Sequence, residues 1–128
     1  MADPLYYVDR SDVREGKLAD VRSAMSDLAE FVRAREPQLI AYRFYLDETA
    51  STMTLVAVHP DSASLELHMD IGGDKFRGFA ELIRMRSIDL YGRPSEAAVE
   101  RLRAKAEMLG GATVTVHTAQ AGFSRPTT

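Results

Sequence analysis

The stretch LIAYRFYLDETASTMTLVAVH, residues 39–59, contains the pattern that decides the fold. It begins with the strand-like run LIAYRFYLD and ends with the strand-like run TMTLVAVH, and four residues separate the two. So short a separation predicts an antiparallel hairpin. Pairing Asp47 with Thr52 closes that hairpin. In the resulting register Tyr42 lies opposite Ala57.

The predicted hairpin has one apolar face and one mixed face, because successive side chains of a strand point to opposite sides. The apolar face is formed by Ile40, Tyr42, Phe44, Leu46, Met53, Leu55, Ala57 and His59. The mixed face is formed by Ala41, Arg43, Tyr45, Asp47, Thr52, Thr54, Val56 and Val58. We expect both faces to be at least partly covered.

Signals for further strands and a first helix flank the hairpin. We predict strands at Leu5–Asp9, Leu39–Asp47, Thr52–His59, Ser87–Gly92 and Ala112–His117. Apolar residues spaced three and four apart predict a helix that Pro37 ends. The members of that apolar stripe are Leu18, Val21, Met25, Leu28 and Val32.

Three more helical segments are predicted in the second half of the chain. Asp61 is a suitable N-cap for a helix that ends at Gly72-Gly73. Asp74 caps a third segment, whose apolar stripe is Phe76, Phe79 and Ile83. Ser95 caps the last helix, which Gly110-Gly111 ends. Its apolar side is Val99, Leu102, Ala106 and Leu109, and its solvated side is mostly Glu100, Arg101, Arg103, Lys105 and Glu107.

The order of elements predicts an α+β fold, a ferredoxin-like βαββαβ unit with an added C-terminal helix and strand. Residues 1–128 fit one domain, with 124–128 as a loose tail. Helices on one side of the sheet leave its other side without a cover, so we expect a homodimer through that side. We also expect the fifth strand to add to the partner's sheet. The uncovered side carries Ala41, Tyr45, Val56 and Val58.

Composition excludes several classes of function. Apolar residues make up 45% of the chain, charged residues 27%, and the net charge is -3, so we expect neither nucleic acid nor a membrane as a partner. The chain has no Cys, which excludes disulfides and thiolate chemistry. The N-terminus has no signal-peptide pattern, so a cytoplasmic location is expected. No phosphate-binding glycine loop, serine elbow or metal motif is present, so we expect no cofactor and no metal.

Among the three histidines, His68 has the most informative position. It follows Leu65 by three residues in the predicted second helix, so both point to the inward side of that helix. Glu66 and Asp70 point outward. Two interpretations are open: a core-edge histidine hydrogen-bonded to the backbone, and a cavity-lining acid, base or ligand donor.

The runs FYLDE, TLVAVHPDSASLELHM and KFRGF, with Tyr42 before them, resemble the antibiotic biosynthesis monooxygenase family of dimeric α+β barrels. In that family a tyrosine-rich hairpin precedes a helix with a serine, a leucine and a histidine. The matching residues here are Ser62 or Ser64, Leu65 and His68. The resemblance covers roughly residues 5–92.

The resemblance implies a homodimer whose two sheets face each other, with a cavity for a small hydrophobic or aromatic molecule between each sheet and its own helices. Several members are oxygenases that use no metal or flavin, because the deprotonated substrate itself supplies electrons to oxygen. The resemblance therefore implies a cofactor-independent monooxygenase that acts on a small aromatic or polyketide-like substrate. The alternative is a non-catalytic dimeric module of the same fold that binds a small ligand or a partner.

The chain departs from the family near the end of the third strand. Many members carry a glutamate and a tryptophan two residues apart, where this chain has Ala57 and His59. The chain has no Trp at all, so it does not match the haem-degrading branch. We predict His68 as the catalytic acid or base. The predicted substrate-binding residues are Tyr42, His59, Leu55, Phe76 and Phe79.

Overall fold

The computed structural model describes residues 3–125 and contains five strands and three helices. The strands are β1 (Leu5–Val13), β2 (Ala41–Asp47), β3 (Thr52–His59), β4 (Ile83–Tyr91) and β5 (Thr113–His117). The helices are α1 (Leu18–Arg35), α2 (Ser62–Arg77) and α3 (Glu96–Met108). Residues 126–128 of the tail that was predicted to be loose lie outside the described residues.

The five strands form one mixed sheet in the order β2-β3-β1-β4-β5. Only β4 and β5 are parallel neighbours, and the other neighbouring pairs are antiparallel. This arrangement confirms the predicted ferredoxin-like α+β fold with an added helix and strand. The inward face of the sheet and the three helices share one hydrophobic core, which includes Val21 of α1, Leu65 of α2 and Leu102 of α3.

The hairpin of β2 and β3 has the predicted register. Asp47 pairs with Thr52, and Tyr42 pairs with Ala57. The inward side chains of β3 are buried in the alternating pattern expected for a strand with one covered face. One member of the predicted apolar face, Ile40, does not follow this pattern, because it precedes β2 and its side chain is half exposed.

β1 and β4 are longer than the sequence pattern predicts, because they pair with each other beyond the predicted ends. Their pairing continues past a register shift between Arg10 and Ser11 and reaches Val13 opposite Ile83. Such an irregularity interrupts the alternation of side chains while the ladder goes on. Ile83 therefore begins β4, and the prediction that it shares a helical stripe with Phe79 is wrong.

α2 passes through Gly72 and Gly73, so the predicted break there and the separate helix capped by Asp74 are wrong. The reason is packing. A Cβ atom on Gly72 would lie 2.5 Å from the ring of Phe76, so this position needs a residue without a side chain. Asp61 does cap the helix as predicted, since its side chain accepts a hydrogen bond from the backbone N–H of Ser64.

The C-terminal extension completes the sheet of its own chain. Ser95 caps α3 as predicted, by accepting a hydrogen bond from the backbone N–H of Ala98. β5 pairs with β4 of the same chain, and its addition to a partner's sheet stays a prediction. Lys105 was predicted on the solvated side of α3 but is buried, a correction that matters for the site below.

The outward face of the sheet carries exposed aromatic and aliphatic side chains, as predicted. Tyr6 of β1 pairs with both Val58 and Tyr91, and all three share this face with Tyr45. Tyr6, Tyr45 and Tyr91 are each more than a third exposed in the single chain. The face therefore presents exposed aromatic and aliphatic side chains among charged ones such as Arg10 and Asp89, without a cover in the chain alone.

Candidate functional site

His68 points into the protein, as the helix spacing predicts. It is 3% exposed and lies one helical turn from the fully buried Leu65. Its ring centre is 5.2 Å from that of Tyr42, 5.5 Å from that of His59 and 5.1 Å from that of Phe76. The structure thus brings together four of the residues that were predicted for the site.

The sequence analysis missed the partner of His68, which is Glu36. The Nδ1 atom of His68 lies 2.8 Å and 3.0 Å from the two carboxylate oxygens of Glu36. Glu36 follows the last residue of α1 and its side chain is fully buried. A buried carboxylate needs such a partner, because an unpaired charge in the core is costly.

The environment of His68 favours its neutral form. Burial lowers the pKa of His68, and the hydrogen bond that His68 donates to Glu36 opposes that effect without cancelling it. In the neutral ring, Nδ1–H donates to the carboxylate of Glu36, which leaves Nε2 with the lone pair. This is the tautomer that can accept a proton from a bound molecule.

His59 is held by a different contact. Its Nδ1 atom is hydrogen-bonded to the hydroxyl of Ser64 at 2.8 Å, and Gln38 donates to the same hydroxyl oxygen at 3.2 Å. Burial lowers the pKa of His59 to about 3, with repulsion from the neighbouring titratable groups of His68 and Lys105 as smaller causes. His59 is therefore neutral near pH 7. Its Nε2 atom is buried and has no hydrogen-bond partner among the described residues.

A small cavity of about 20 Å³ lies between the sheet and the helices, which is room for one or two water molecules. Four predicted substrate-binding residues line it, namely Tyr42, Leu55, Phe76 and Phe79. The prediction that His59 and His68 also border this cavity is not met, because the ring of His68 lies behind Tyr42 and Phe76 of its wall and the ring of His59 packs next to that of His68. The other lining residues are Asp9, Leu28, Phe44, Met53, Ile83, Met85, Lys105 and Leu109.

A second polar cluster, also missed by the sequence analysis, lies at the wall of this cavity. The hydroxyl of Tyr7 donates a hydrogen bond to Oδ2 of Asp9 at 2.5 Å. Nζ of Lys105 donates to the hydroxyl oxygen of Tyr7 at 2.8 Å and lies 3.5 Å from the same Oδ2 atom. All three residues are buried. The pair of opposite charges lowers the cost of placing Asp9 and Lys105 in the core.

The surroundings of this cluster shift the pKa values of its members. Burial lowers the pKa of Lys105, and the carboxylate of Asp9 opposes the shift. Burial and the nearby Asp9 raise the pKa of Tyr7 and of Tyr42 well above the usual range, so both hydroxyls stay protonated. The ammonium of Lys105 also lies 4.4 Å from the ring centre of Phe76, a cation–π contact.

A larger groove of about 560 Å³ lies outside the core, between the end of α1 and the edge strand β2. Tyr42 lines both this groove and the inner cavity. Glu36 lines the groove but not the inner cavity. Tyr42 is therefore the residue that the linings of the two spaces share. The other groove residues are Ala29, Glu30, Val32, Arg33, Pro37, Leu39, Ile40, Ala41 and Arg43.

The missed residues differ in how far a local pattern could have found them. Asp9 continues the alternation of Leu5 and Tyr7 in β1, which places it on the covered face. Lys105 follows Leu102 by three residues, which places it on the inward side of α3. Glu36 follows Val32 by four residues and so continues the apolar stripe of α1, but a charged residue at the end of a helix is usually solvated, which is why it was missed.

Two further observations concern residues 3–125. No three His, Asp or Glu side chains in this range converge in a way that could hold a metal ion. No helix in the same range is long and apolar enough to cross a membrane.

Comparison with known proteins gives matches at the level of structure. No family model and no curated protein matches the sequence. Solved structures that resemble the chain include MupZ from Pseudomonas fluorescens, with a TM-score of 0.75 and 15% identity over 97% of this chain and 96% of that chain. The match to MupZ therefore includes the added helix and strand.

Two other matches are named for oxygenases. A candidate antibiotic biosynthesis monooxygenase from Caulobacter crescentus CB15 has a TM-score of 0.63 and 18% identity over 70% of this chain and 88% of that chain. A variant of SnoaB, a cofactor-independent oxygenase from Streptomyces nogalater, has a TM-score of 0.61 and 18% identity over 73% of this chain and 96% of that chain. The chain therefore has the α+β fold of the antibiotic biosynthesis monooxygenases, as its resemblance to that family implied.

Proposed function

We propose that this protein is a cofactor-independent monooxygenase that acts on a small aromatic or polyketide-like molecule. The observation that carries the proposal is the buried Glu36–His68 pair, with 2.8 Å between a carboxylate oxygen and Nδ1. A carboxylate that holds a histidine in one tautomer is the arrangement that a general base needs, and the ring of His68 packs against Tyr42 and Phe76 of the cavity wall. The likeness to SnoaB supports the same class of reaction through the fold.

The chemistry needs a base and a dry environment. Nε2 of neutral His68 takes a proton from an acidic C–H or phenolic O–H group of the substrate, and Glu36 stabilises the imidazolium that forms. The substrate anion transfers electrons to dioxygen and becomes a hydroperoxide. Loss of water from the hydroperoxide converts the original CH₂ group into a carbonyl, so one oxygen atom enters the product and the other leaves as water. The proton that His68 took up converts the peroxide anion, formed first from the substrate anion and dioxygen, into that hydroperoxide.

The substrate has to enter from the outer groove. The inner cavity of about 20 Å³ is far smaller than an aromatic molecule, so side chains must move before a substrate reaches His68. Tyr42 is the residue that lines both groove and cavity, and its hydroxyl makes no hydrogen bond among the described residues that would hold it in place. Met53 and Met85 at the cavity wall are flexible enough to make room.

We further propose that the working form is a homodimer in which two outward sheet faces meet. The exposed tyrosines of that face, together with the half-buried Val56 and Val58, are the apolar surface that such an interface would cover. The site described above lies on the other side of the sheet, within each chain.

A second candidate function is a non-catalytic dimeric module that binds a small ligand. The small volume of the inner cavity favours it, because a substrate of several rings does not fit without rearrangement. The positions Ala57 and His59, which depart from the family pattern, favour it as well.

Oxygen consumption separates the two candidates. Purified protein, treated with a chelator and analysed for metal and flavin content, is mixed with a panel of quinols and anthrones while dissolved oxygen is recorded. The proposed function requires uptake of one O₂ per product carbonyl, with His68→Gln much slower than the wild type. Binding of a panel member without oxygen uptake supports the second candidate instead.

A further inference from the structure

Two residues that line the same inner cavity each carry a buried oxygen atom without a hydrogen-bond partner. Oδ1 of Asp9 and the hydroxyl of Tyr42 are both buried, and neither has a hydrogen-bond partner among the described residues. Buried polar atoms are rarely left in this state, because an unsatisfied group costs about 1–3 kcal/mol. Their joint position at the wall of one cavity is therefore informative.

The arrangement around Asp9 explains why its Oδ1 atom is left without a hydrogen-bond partner. The other carboxylate oxygen, Oδ2, accepts the hydrogen bond from Tyr7 and lies next to the ammonium of Lys105. These two contacts hold one side of the carboxylate and leave the second oxygen as an acceptor without a donor. Asp9 is 1% exposed, so bulk water does not satisfy that oxygen.

The two free oxygens have complementary requirements. Ionised Asp9 can only accept a hydrogen bond, whereas the hydroxyl of Tyr42 can donate one. A hydroxyl group on a ligand can donate to the first atom and accept from the second at the same time. An ether or a carbonyl oxygen can only accept, and a hydrocarbon can do neither.

We propose that Asp9 and Tyr42 form a binding subsite for a hydroxyl group on a small apolar molecule. The residues around it, Leu28, Phe44, Met53, Leu55, Phe79 and Met85, supply an apolar wall for the rest of that molecule. The inference deepens the proposed function. It rests on that function only where it identifies the bound molecule as the substrate. It specifies a phenol or alcohol, with the hydroxyl held at the sheet side of the cavity.

Binding of three matched probes tests the subsite without any turnover. Phenol has a hydroxyl, anisole has an oxygen that only accepts, and toluene has neither. The methyl signals of Met53 and Met85, both at the cavity wall, report binding in a methyl ¹H–¹³C spectrum. We expect phenol to shift both signals and to bind about 10- to 100-fold more tightly than anisole or toluene.

Variants locate the effect. Tyr42→Phe, which keeps the ring, and Asp9→Asn, which keeps the shape of the side chain, should each reduce the preference for phenol. Asp12→Asn is the matched control, since Asp12 lies on β1 with its side chain on the opposite face and pairs with Arg86. Phe44→Ala enlarges the cavity without touching either oxygen, so it should strengthen binding of all three probes and keep their order.

Specific outcomes contradict the subsite. Equal affinity for phenol and toluene, or a preference for phenol that Tyr42→Phe leaves unchanged, overturns it, and so does the absence of binding to both the wild type and Phe44→Ala. In those cases the two oxygens are satisfied by water only. Because no oxygen uptake is measured, failure of this test is distinct from failure of the proposed oxygenase activity.

Discussion

Glu36 and His68 are joined by a buried hydrogen bond across 32 positions of the chain, with Nδ1 of the histidine 2.8 Å from the carboxylate. One residue lies just after the end of α1 and the other in the middle of α2. The pair orients the imidazole and determines which of its nitrogens is free. The same logic operates in catalytic triads, where a carboxylate holds the tautomer of a histidine base.

His68→Gln tests the proposed base. Glutamine keeps a donor for Glu36 and much of the side-chain volume, but it cannot take up a proton. We expect turnover in the oxygen-uptake assay to fall about 100- to 10,000-fold, as for the loss of a general base, while the midpoint of urea unfolding changes little. His117→Gln on the outward face is the control. Lost stability with unchanged turnover would instead make His68 a structural residue.

Glu36→Gln tests the role of the carboxylate. The charge and hydrogen bond of Glu36 raise the pKa of His68, so their weakening should lower that pKa further. The acid limb of the rate profile, which reports protonation of the base, should then move to lower pH. We expect turnover at pH 7.5 to fall about tenfold, less than for His68→Gln. Titration of His68 by NMR gives the pKa directly, and an unchanged value contradicts the assignment.

His59 should make the protein less stable in mild acid. The pKa of His59 is about 3 in the folded protein and 6.5 when the side chain is not buried. Between these two pH values the unfolded chain binds one proton that the folded protein does not. The contribution of this histidine to the free energy of unfolding is therefore fully present above pH 6.5 and is lost as the pH falls below that value. One histidine accounts for about 2 kcal/mol between pH 6.5 and 5. Urea unfolding at several pH values should show a smaller slope for His59→Asn. Equal slopes would contradict the shift.

The two adjacent glycines of α2 should respond oppositely to alanine. Gly73 has open space where a Cβ would be placed, so Gly73→Ala should stabilise the protein by about 0.5–1 kcal/mol through helix propensity. A Cβ on Gly72 would meet the buried ring of Phe76 at 2.5 Å. We expect Gly72→Ala to destabilise by about 1–3 kcal/mol despite the same gain in propensity. Thermal unfolding of both variants measures the difference, and equal effects would rule out the packing explanation.

The outward sheet face should mediate dimerisation. Light scattering at micromolar concentration should give twice the chain mass of 14.2 kDa. Val56→Lys places a charge at the centre of this face and should shift the mass to that of the monomer. Ala104→Lys, on the exposed side of α3, adds the same charge elsewhere and should leave the mass unchanged. A monomeric wild type would refute the proposed interface.

The sequence by itself determined the order of the five strands along the chain, the hairpin register and the inward direction of His68. These features depend on neighbours a few residues apart: alternation along β2 and β3, spacing of three and four in the helices, and the caps Asp61 and Ser95. Because interactions between residues close in sequence determine these features, they can be predicted from one sequence.

Only the tertiary structure decided which polar side chains meet inside. Glu36 reaches His68 from another helix, and Lys105 reaches Asp9 across 96 positions of the chain, so no local spacing relates them. The same applies to Gly72, whose place inside a helix is explained by the ring of Phe76 rather than by the usual tendency of glycine to end helices. Whether a charged group is buried depends on what packs over it, and that is set by the assembly of all the elements rather than by any one of them.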